Sequence, residues 1–414
     1  MINLAAAWIA DPRTVAVMDA LEAAGGAGCA RFVGGAVRNA LLGAVVDDID
    51  IATTLTPQAV SAALAAASLR AVPTGIDHGT VTAISGGRPF EITTLRRDVS
   101  TDGRHAVVAF TDDWALDAGR RDFTMNALYA DRAGAVLDPT GVGVADALAG
   151  RVAFVGDPQT RIREDYLRVM RFFRFHAWYG AGEPDRAALA ACAALKGPVA
   201  ALAAERVSKE LMKLLAAQDP RAALAAMAET GVLAIATPGL ENLGRLSGLV
   251  EVEAQLMAEP DAGLRLAALL DDDPPASAAF AQRLRLPNAL RDRLAAALDP
   301  SLALTSWMSP REARRAVYQI GQAAFADRVK LTWAAAPNSA QAPQWRALLA
   351  LGETWTPPTL PVSGVDAVAA GTPKGPLVGA VLREVEAWWI DQDFPDDRAA
   401  AAERLKAVVQ GMVP

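Results

Sequence analysis

The sequence predicts an α+β protein, a mixed α/β head followed by a long all-α remainder. Three observations predict it. Stretches rich in Val, Ile, Thr and Phe crowd into the first 150 positions and alternate with short helical patterns. Beyond them, alanine- and leucine-rich segments carry apolar residues at three- and four-residue spacing almost to the end. With 414 residues, 52% of them hydrophobic and 21% charged, the chain is long enough for two to four domains and a substantial core.

In the head, strands are expected at 31–33, 49–52, 79–85, 90–95, 107–109 and 135–138, and helices at 14–24, 36–42 and 57–67. The segment 96–109 contains Asp102-Gly103-Arg104, a flexible-loop signature. Packing helices are expected at 208–215, 220–229, 290–298 and 310–320. LDDDPP at 270–275 reads as a loop or hinge, and a Pro-rich stretch over 337–361 sets off a last module. In that module GTPKGP at 371–376 makes a tight turn ahead of a helix at 377–390. The arginines at 311, 314 and 315 surround Glu312, as on a solvated helix face.

A formal net charge of −7 argues against a uniformly basic coat, while leaving room for a local basic groove. Cys29 and Cys192 are the only cysteines, too few for a disulfide scaffold or a Cys-rich zinc site, and they fit a reducing cytosol. Histidine-rich metal sites are excluded by a set of three, His78, His105 and His176; the last two are expected to be surface or packing residues. The apolar first ten residues lack a basic n-region, and no run reaches the ~20 apolar residues needed to span a bilayer. A cytoplasmic protein with no membrane segment is expected.

Residues 34–53 read GGAVRNALLGAVVDDIDIAT. Asp48 and Asp50 alternate with Ile49 and Ile51, so on a strand both acids point one way and both isoleucines the other. Two like charges on one face repel unless a cation sits between them, and Mg²⁺ prefers carboxylates together with substrate phosphates. Asp47 is expected on the opposite, solvent-exposed face. Upstream, an apolar strand ends at Gly34-Gly35 and a helix follows, an arrangement that offers backbone N–H groups to a phosphate.

This segment and three further blocks resemble the class II tRNA nucleotidyltransferases, the CCA-adding enzymes with their poly(A) polymerase relatives. The blocks are RRDFTMNAL at 120–128, EDYLR at 164–168 running into VMRFFRFHA, and ERVSKELMKLL at 205–215. PTGIDHGTVT at 73–82, FEITTLRRD at 90–98 and SGVDAVAAGTPKGPLVGAVL in the last module also look like the family. The resemblance implies a nucleotidyltransferase-type head (1–150), a neck with a nucleobase-reading motif (151–218), a helical body (219–336) and a tRNA-binding tail (337–414). It also implies addition of C, C and A to the 3′ end of tRNA from CTP and ATP, with Mg²⁺ as cofactor and no DNA partner.

Carried onto this chain, Asp48 and Asp50 are the metal ligands and catalytic acids, with Glu91 as a possible third carboxylate or else a structural, hydrogen-bonded one. Gly34, Gly35 and Arg38 would hold the triphosphate, although Asn39 stands where the family usually carries Asp. Arg121 is expected on phosphate or ribose and Asp122 on sugar hydroxyls, with Asn126 on the same helix face. The alternative for Asp122 is a helix N-cap. Asp165 and Arg168, three apart on a helix, would read one edge of the incoming base. Asp accepts from the amino group of cytosine or adenine and Arg donates to the neighbouring ring nitrogen; uracil and guanine present the reverse order. Arg171 and Arg174 continue an arginine stripe along the cleft, and Glu164 is expected to orient it. A loop around 102–104 favours full CCA addition within this family. The alternatives are a poly(A) polymerase, an enzyme adding only CC or only A, and a catalytically inactive RNA-binding module.

Overall fold

The structure, a computed structural model, describes residues 2–76, 79–102 and 105–412, and the side chains of all of these except 98–102 and 105–108. His78, Gly103, Arg104 and the side chains of Asp102 and His105 lie outside that description. Two compact units divide the chain, Met1–Glu241 and Asn242–Pro414. Their boundary falls inside the segment expected as the body.

The first unit is built on a sheet of seven strands. They are β1 (Ala30–Val33), β2 (Asp50–Thr53), β3 (Arg70–Gly75), β4 (Thr80–Ser85), β5 (Arg88–Thr94), and two short ones, Tyr129–Ala130 and Val136–Leu137. A separate hairpin pairs β6 (Arg96–Asp102) with β7 (His105–Phe110), so the last two strands of the sheet are β8 and β9. The order is β3-β4-β5-β2-β1-β8-β9. All pairs are antiparallel except β2 with β5, which run parallel and set Asp50 opposite Glu91. The expected loop at 96–109 is thus largely a hairpin, because Val107, Val108 and their partners satisfy each other's backbone groups.

Helices α1 (Pro12–Gly25) and α3 (Pro57–Ala66) start by the same local rule. Asp11 and Thr56 cap them with side-chain oxygens, and proline occupies the first turn. Between them α2 (Gly35–Leu41) follows directly on β1. The rest of the unit is helical: α4 (Trp114–Gly119), α5 (Gly143–Leu148), α6 (Pro158–Glu164), α7 (Leu167–Tyr179), α8 (Arg186–Ala194), α9 (Ala204–Leu215), α10 (Arg221–Glu229) and α11 (Val232–Ala236). One face of α7 is aromatic and fully buried. Phe172 stacks on Phe154 and Phe175 packs on Phe123, with ring centroids 5.9 and 4.9 Å apart.

The second unit contains only helices among the described residues: α12 (Leu243–Leu256), α13 (Ala262–Leu269), α14 (Pro274–Arg283), α15 (Asn288–Ala297), α16 (Pro310–Ile320), α17 (Gln322–Trp333), α18 (Ala342–Thr354), α19 (Gly364–Ala369), α20 (Pro376–Asp391) and α21 (Arg398–Met412). The Pro-rich stretch expected as a separator contains α18, whose Trp345, Leu348 and Leu349 join Phe325 and Trp333 in one core cluster. Pro343 sits in its first turn, where proline's missing N–H costs nothing. Glu312 belongs to a capping box with Ser309, and Arg314 and Arg315 pair with Asp393 and Asp391. The helix face expected to be merely solvated is instead an ion-paired contact.

Candidate active site

A cleft of about 590 Å³ opens in the first unit. Its lining brings together Gly34, Gly35, Arg38, Asp48, Asp50, Arg121, Asp122, Asn126, Arg171 and Arg174 from segments far apart in the chain. Of the residues expected to handle nucleotide, Asp165 and Arg168 are outside this lining.

The glycine turn has a backbone reason. Gly34 adopts φ +65°, and a Cβ there would sit 3.5 Å from the Arg121 guanidinium. Its N–H donates to the Leu128 carbonyl (3.0 Å), tying the end of β1 to the segment before β8. One turn into α2, Arg38 is 6% exposed. Its guanidinium donates to the side-chain oxygens of Asn126 and Asn39, and to the Tyr179 hydroxyl at 2.8 Å, and lies 4.0 Å above the Tyr179 ring. All these partners are neutral. Burial lowers the pKa of Arg38 without removing its charge, and the nearest carboxylate, Asp122, is already bonded to Arg171, so the cleft holds a buried cation with no ion-pair partner of its own among the described residues.

Asp50 opens β2, whereas Asp48 lies in the irregular segment just before it. Ile49 and Ile51 are buried, 1% and 0% exposed, as the alternation requires. Asp47, expected on the opposite face, also lines the cleft, because at 47 the chain has not yet entered the strand's pleat. Burial and the nearby Glu91 and Asp48 push the Asp50 carboxyl up to about 6. Glu91 is exposed and does not line the cleft. A buried carboxyl that resists ionisation beside a second aspartate suits a divalent cation. Among the described residues no three His, Cys, Asp or Glu side chains form a metal cage. Asp48 and Asp50 would leave the remaining positions to water and phosphate oxygens.

Asp122 is not on a helix with Asn126; only 124–126 form a 3₁₀ turn. Its Oδ1 accepts from the Phe123 N–H (2.9 Å) and the Asn126 amide (3.0 Å), and its Oδ2 accepts twice from Arg171, through Nε at 2.8 Å and through Nη2. All four acceptor positions are taken, which leaves none for a sugar hydroxyl. Asp122 is therefore a strut. It links Tyr179, Arg38 and Asn126 to Arg171 in one continuous network across the cleft.

The arginine stripe of α7 carries no acids of its own. The acids come from other elements. Arg168 pairs with Glu164, Arg171 with Asp122, and Arg174 with Glu210 of α9 at 2.5 Å. Arg121 is held by Asp117 (2.9 Å) and Tyr129 (3.2 Å). Burial alone would raise Asp117, but the charges of Arg121 and Arg120 and the Tyr129 hydroxyl hold it at about 2. Glu210, Asp117, Tyr129 and Tyr179 escaped the sequence reading. Only Asp117, four before Arg121, carried a local spacing signal.

Asp165 and Arg168 do not share a helix. Asp165 has extended backbone (φ −155°, ψ 107°) between α6 and α7. Its Oδ1 accepts from the Leu167 N–H (3.0 Å), two residues on, and its Oδ2 accepts from Arg206 of α9 (2.7 Å). Arg168 donates to the carbonyls of Arg161 (2.8 Å) and Arg120 (3.2 Å).

Residues 30–153 match the poly(A) polymerase head domain, and 183–243 match a probable RNA and SrmB-binding site of polymerase A. The CCA-adding enzyme of Limosilactobacillus fermentum is 32% identical over 391 residues, covering 91% of this chain and 94% of that protein. The chain belongs to the family of CCA-adding enzymes and poly(A) polymerases. A second family member, the mouse mitochondrial CCA tRNA nucleotidyltransferase 1, is 44% identical over 191 residues, 45% of this chain. That match spans 43% of the mouse protein, so the alignment reaches less than half the length of this relative. The family fold is matched along nearly all of the chain. The Bacillus stearothermophilus CCA-adding enzyme, solved in complex with CTP, superposes with a TM-score of 0.73 at 24% identity over 96% of this chain and 98% of that one. No helix among the described residues is long and apolar enough to cross a membrane.

Proposed function

We propose that this protein adds C, C and A to the 3′ end of tRNA from CTP and ATP, in the cytoplasm, with Mg²⁺ held by Asp48 and Asp50. The observation that carries the reading is Arg38, a buried guanidinium with only neutral partners, at the glycine turn beside the two aspartates. When bound, the metal supplies positive charge to the triphosphate and acidifies the attacking 3′-hydroxyl. Arg38, which has no ion-pair partner of its own among the described residues, receives the phosphates, and Gly34-Gly35 lets them approach the backbone closely. Arg121, clamped by Asp117, and Arg171, clamped by Asp122, meet the nucleotide already oriented, so little ordering cost falls on binding. We assign the head to 1–150, the base-reading neck to 151–218, the body to 219–336 and the RNA-binding tail to 337–414.

Incubation of the full chain with tRNA lacking its 3′ CCA and labelled CTP or ATP tests the reading. Two C additions followed by a single A are expected. Long A runs would select a poly(A) polymerase, and C-only or A-only products a partial enzyme.

Base choice is assigned to Asp165 and Arg168. Asp165 keeps lone pairs open beyond its bonds to Leu167 and Arg206, enough to accept from a base amino group. Asp165→Ala is expected to relax discrimination of CTP over UTP by roughly 1–3 kcal/mol, with tRNA affinity nearly unchanged. If the variant bound tRNA more weakly yet kept its C and A preference, Asp165 would not be the reader.

A further inference from the structure

The cations of the cleft are not equivalent. Arg121, Arg171 and Arg174 each have a carboxylate partner. Lys213 of α9 lines the same cleft, is exposed, and among the described residues has no carboxylate within ion-pairing distance. Its placement is specified. α9 runs alongside α7 with Arg206 on Asp165, Glu210 on Arg174, and the Lys213 carbonyl accepting the Trp178 indole N–H at 2.6 Å. On α7 the stripe at 168, 171 and 174 would next reach Ala177, which carries no charge. Lys213 resumes it from the neighbouring helix.

This end of α7 is the phosphate end. Tyr179, next to Trp178, holds Arg38 at the glycine turn. Arg168 lies ten residues before Trp178 on the helix, about 15 Å at 1.5 Å per residue. A base read near Arg168 therefore points its triphosphate toward Lys213.

We propose that Lys213 binds the terminal phosphates of the incoming nucleoside triphosphate and the pyrophosphate as it departs, with Trp178 fixing the lysine's position. This rests on the nucleotidyl-transfer reading above. As the 3′-oxygen bonds to the α-phosphorus, the bond from that phosphorus to the bridging oxygen breaks. Its electron pair leaves on pyrophosphate and the hydroxyl proton passes to solvent. The ammonium offsets charge that grows on the leaving group.

The test uses the full chain with Mg²⁺ and tRNA lacking its CCA end. Lys213→Met should raise KM for both CTP and ATP about tenfold, the size of one charge-assisted hydrogen bond. Inhibition by inorganic pyrophosphate should weaken by a similar factor. The KM for tRNA and inhibition by CMP, which lacks the outer phosphates, should not change, and Lys213→Arg should restore most of the loss. Unaltered CTP KM and pyrophosphate inhibition would overturn the assignment. So would a rise confined to the tRNA KM, which would give Lys213 to the acceptor-strand backbone. Weaker CMP inhibition, or no rescue by arginine, would mean a structural role and overturn it as well. If the native chain incorporates no nucleotide at all, the underlying reading fails, a result distinct from any of these.

Discussion

Asp50→Asn is expected to lower nucleotide incorporation about a thousandfold and, without divalent cation, to raise the melting temperature. The two effects have one origin. Asp50 is half-buried at the start of β2, beside Asp48 and across the parallel register from Glu91. Burial first, and then the charges of Glu91 and Asp48, push the Asp50 carboxyl up to about 6. Asparagine keeps the shape and removes one of the charges, so the metal-free fold gains. The bound cation loses an anionic ligand, and with it several kcal/mol of charge stabilisation in the transition state, about three orders of magnitude in rate. Single-turnover incorporation of labelled CMP measures the first effect, and thermal unfolding with and without Mg²⁺ the second. Native protein should be stabilised by the cation through mass action, and the variant should not. Equal stabilisation of both by Mg²⁺ would remove Asp50 from the metal site.

The parts of this site that could be read from the sequence are those whose logic is local. Gly34-Gly35, Arg38, Asp48 and Asp50 fall within one short segment, where strand alternation and a forced positive φ leave a pattern in the residues themselves. In the second unit α15, α16 and α20 were legible for the same reason, whereas α18 was hidden in a stretch whose prolines read as a separator. β3 was not, because Pro73 and Gly75 interrupt its pattern. Such residues are tolerated there since β3 is an edge strand. The break at Asp165 was hidden by helical spacing on both sides; its extended backbone and its bond to the Leu167 N–H reveal it. Least legible were the pairings of Arg171 with Asp122, 49 residues apart, and Arg174 with Glu210, 36 apart. No sequence period reports contacts at such separations. The stripe at 168, 171 and 174 is neutralised by acids from three places outside α7: Glu164 of α6, Asp122 and Glu210 of α9.

A dense set of charged partners makes Asp117 the residue whose loss should cost most stability. It is 1% exposed and accepts from Arg120 (Nε 2.9 Å, Nη2 2.7 Å), Arg121 (2.9 Å) and the Tyr129 hydroxyl (2.6 Å). Asp117→Asn keeps the volume but leaves two guanidinium groups facing a neutral amide. Breaking a buried pair from one side costs about 3–5 kcal/mol, a fall in Tm of roughly 10 °C for a unit of this size. The pH dependence gives a sign that simple loss of packing would not. Because the Asp117 carboxyl is held at about 2, below its ordinary 3.8, its contribution is complete above the ordinary value. It is lost as the pH falls through the folded value. The stability gap between native protein and variant should therefore be widest near neutrality and close between pH 4 and 2. Function should follow stability here, since Arg121 loses the carboxylate that aims it into the cleft: KM for CTP and ATP should rise together, with base preference unchanged. A gap that stays constant with pH, or a variant whose nucleotide KM matches the native value, would mean that Asp117 fills space and does not orient Arg121.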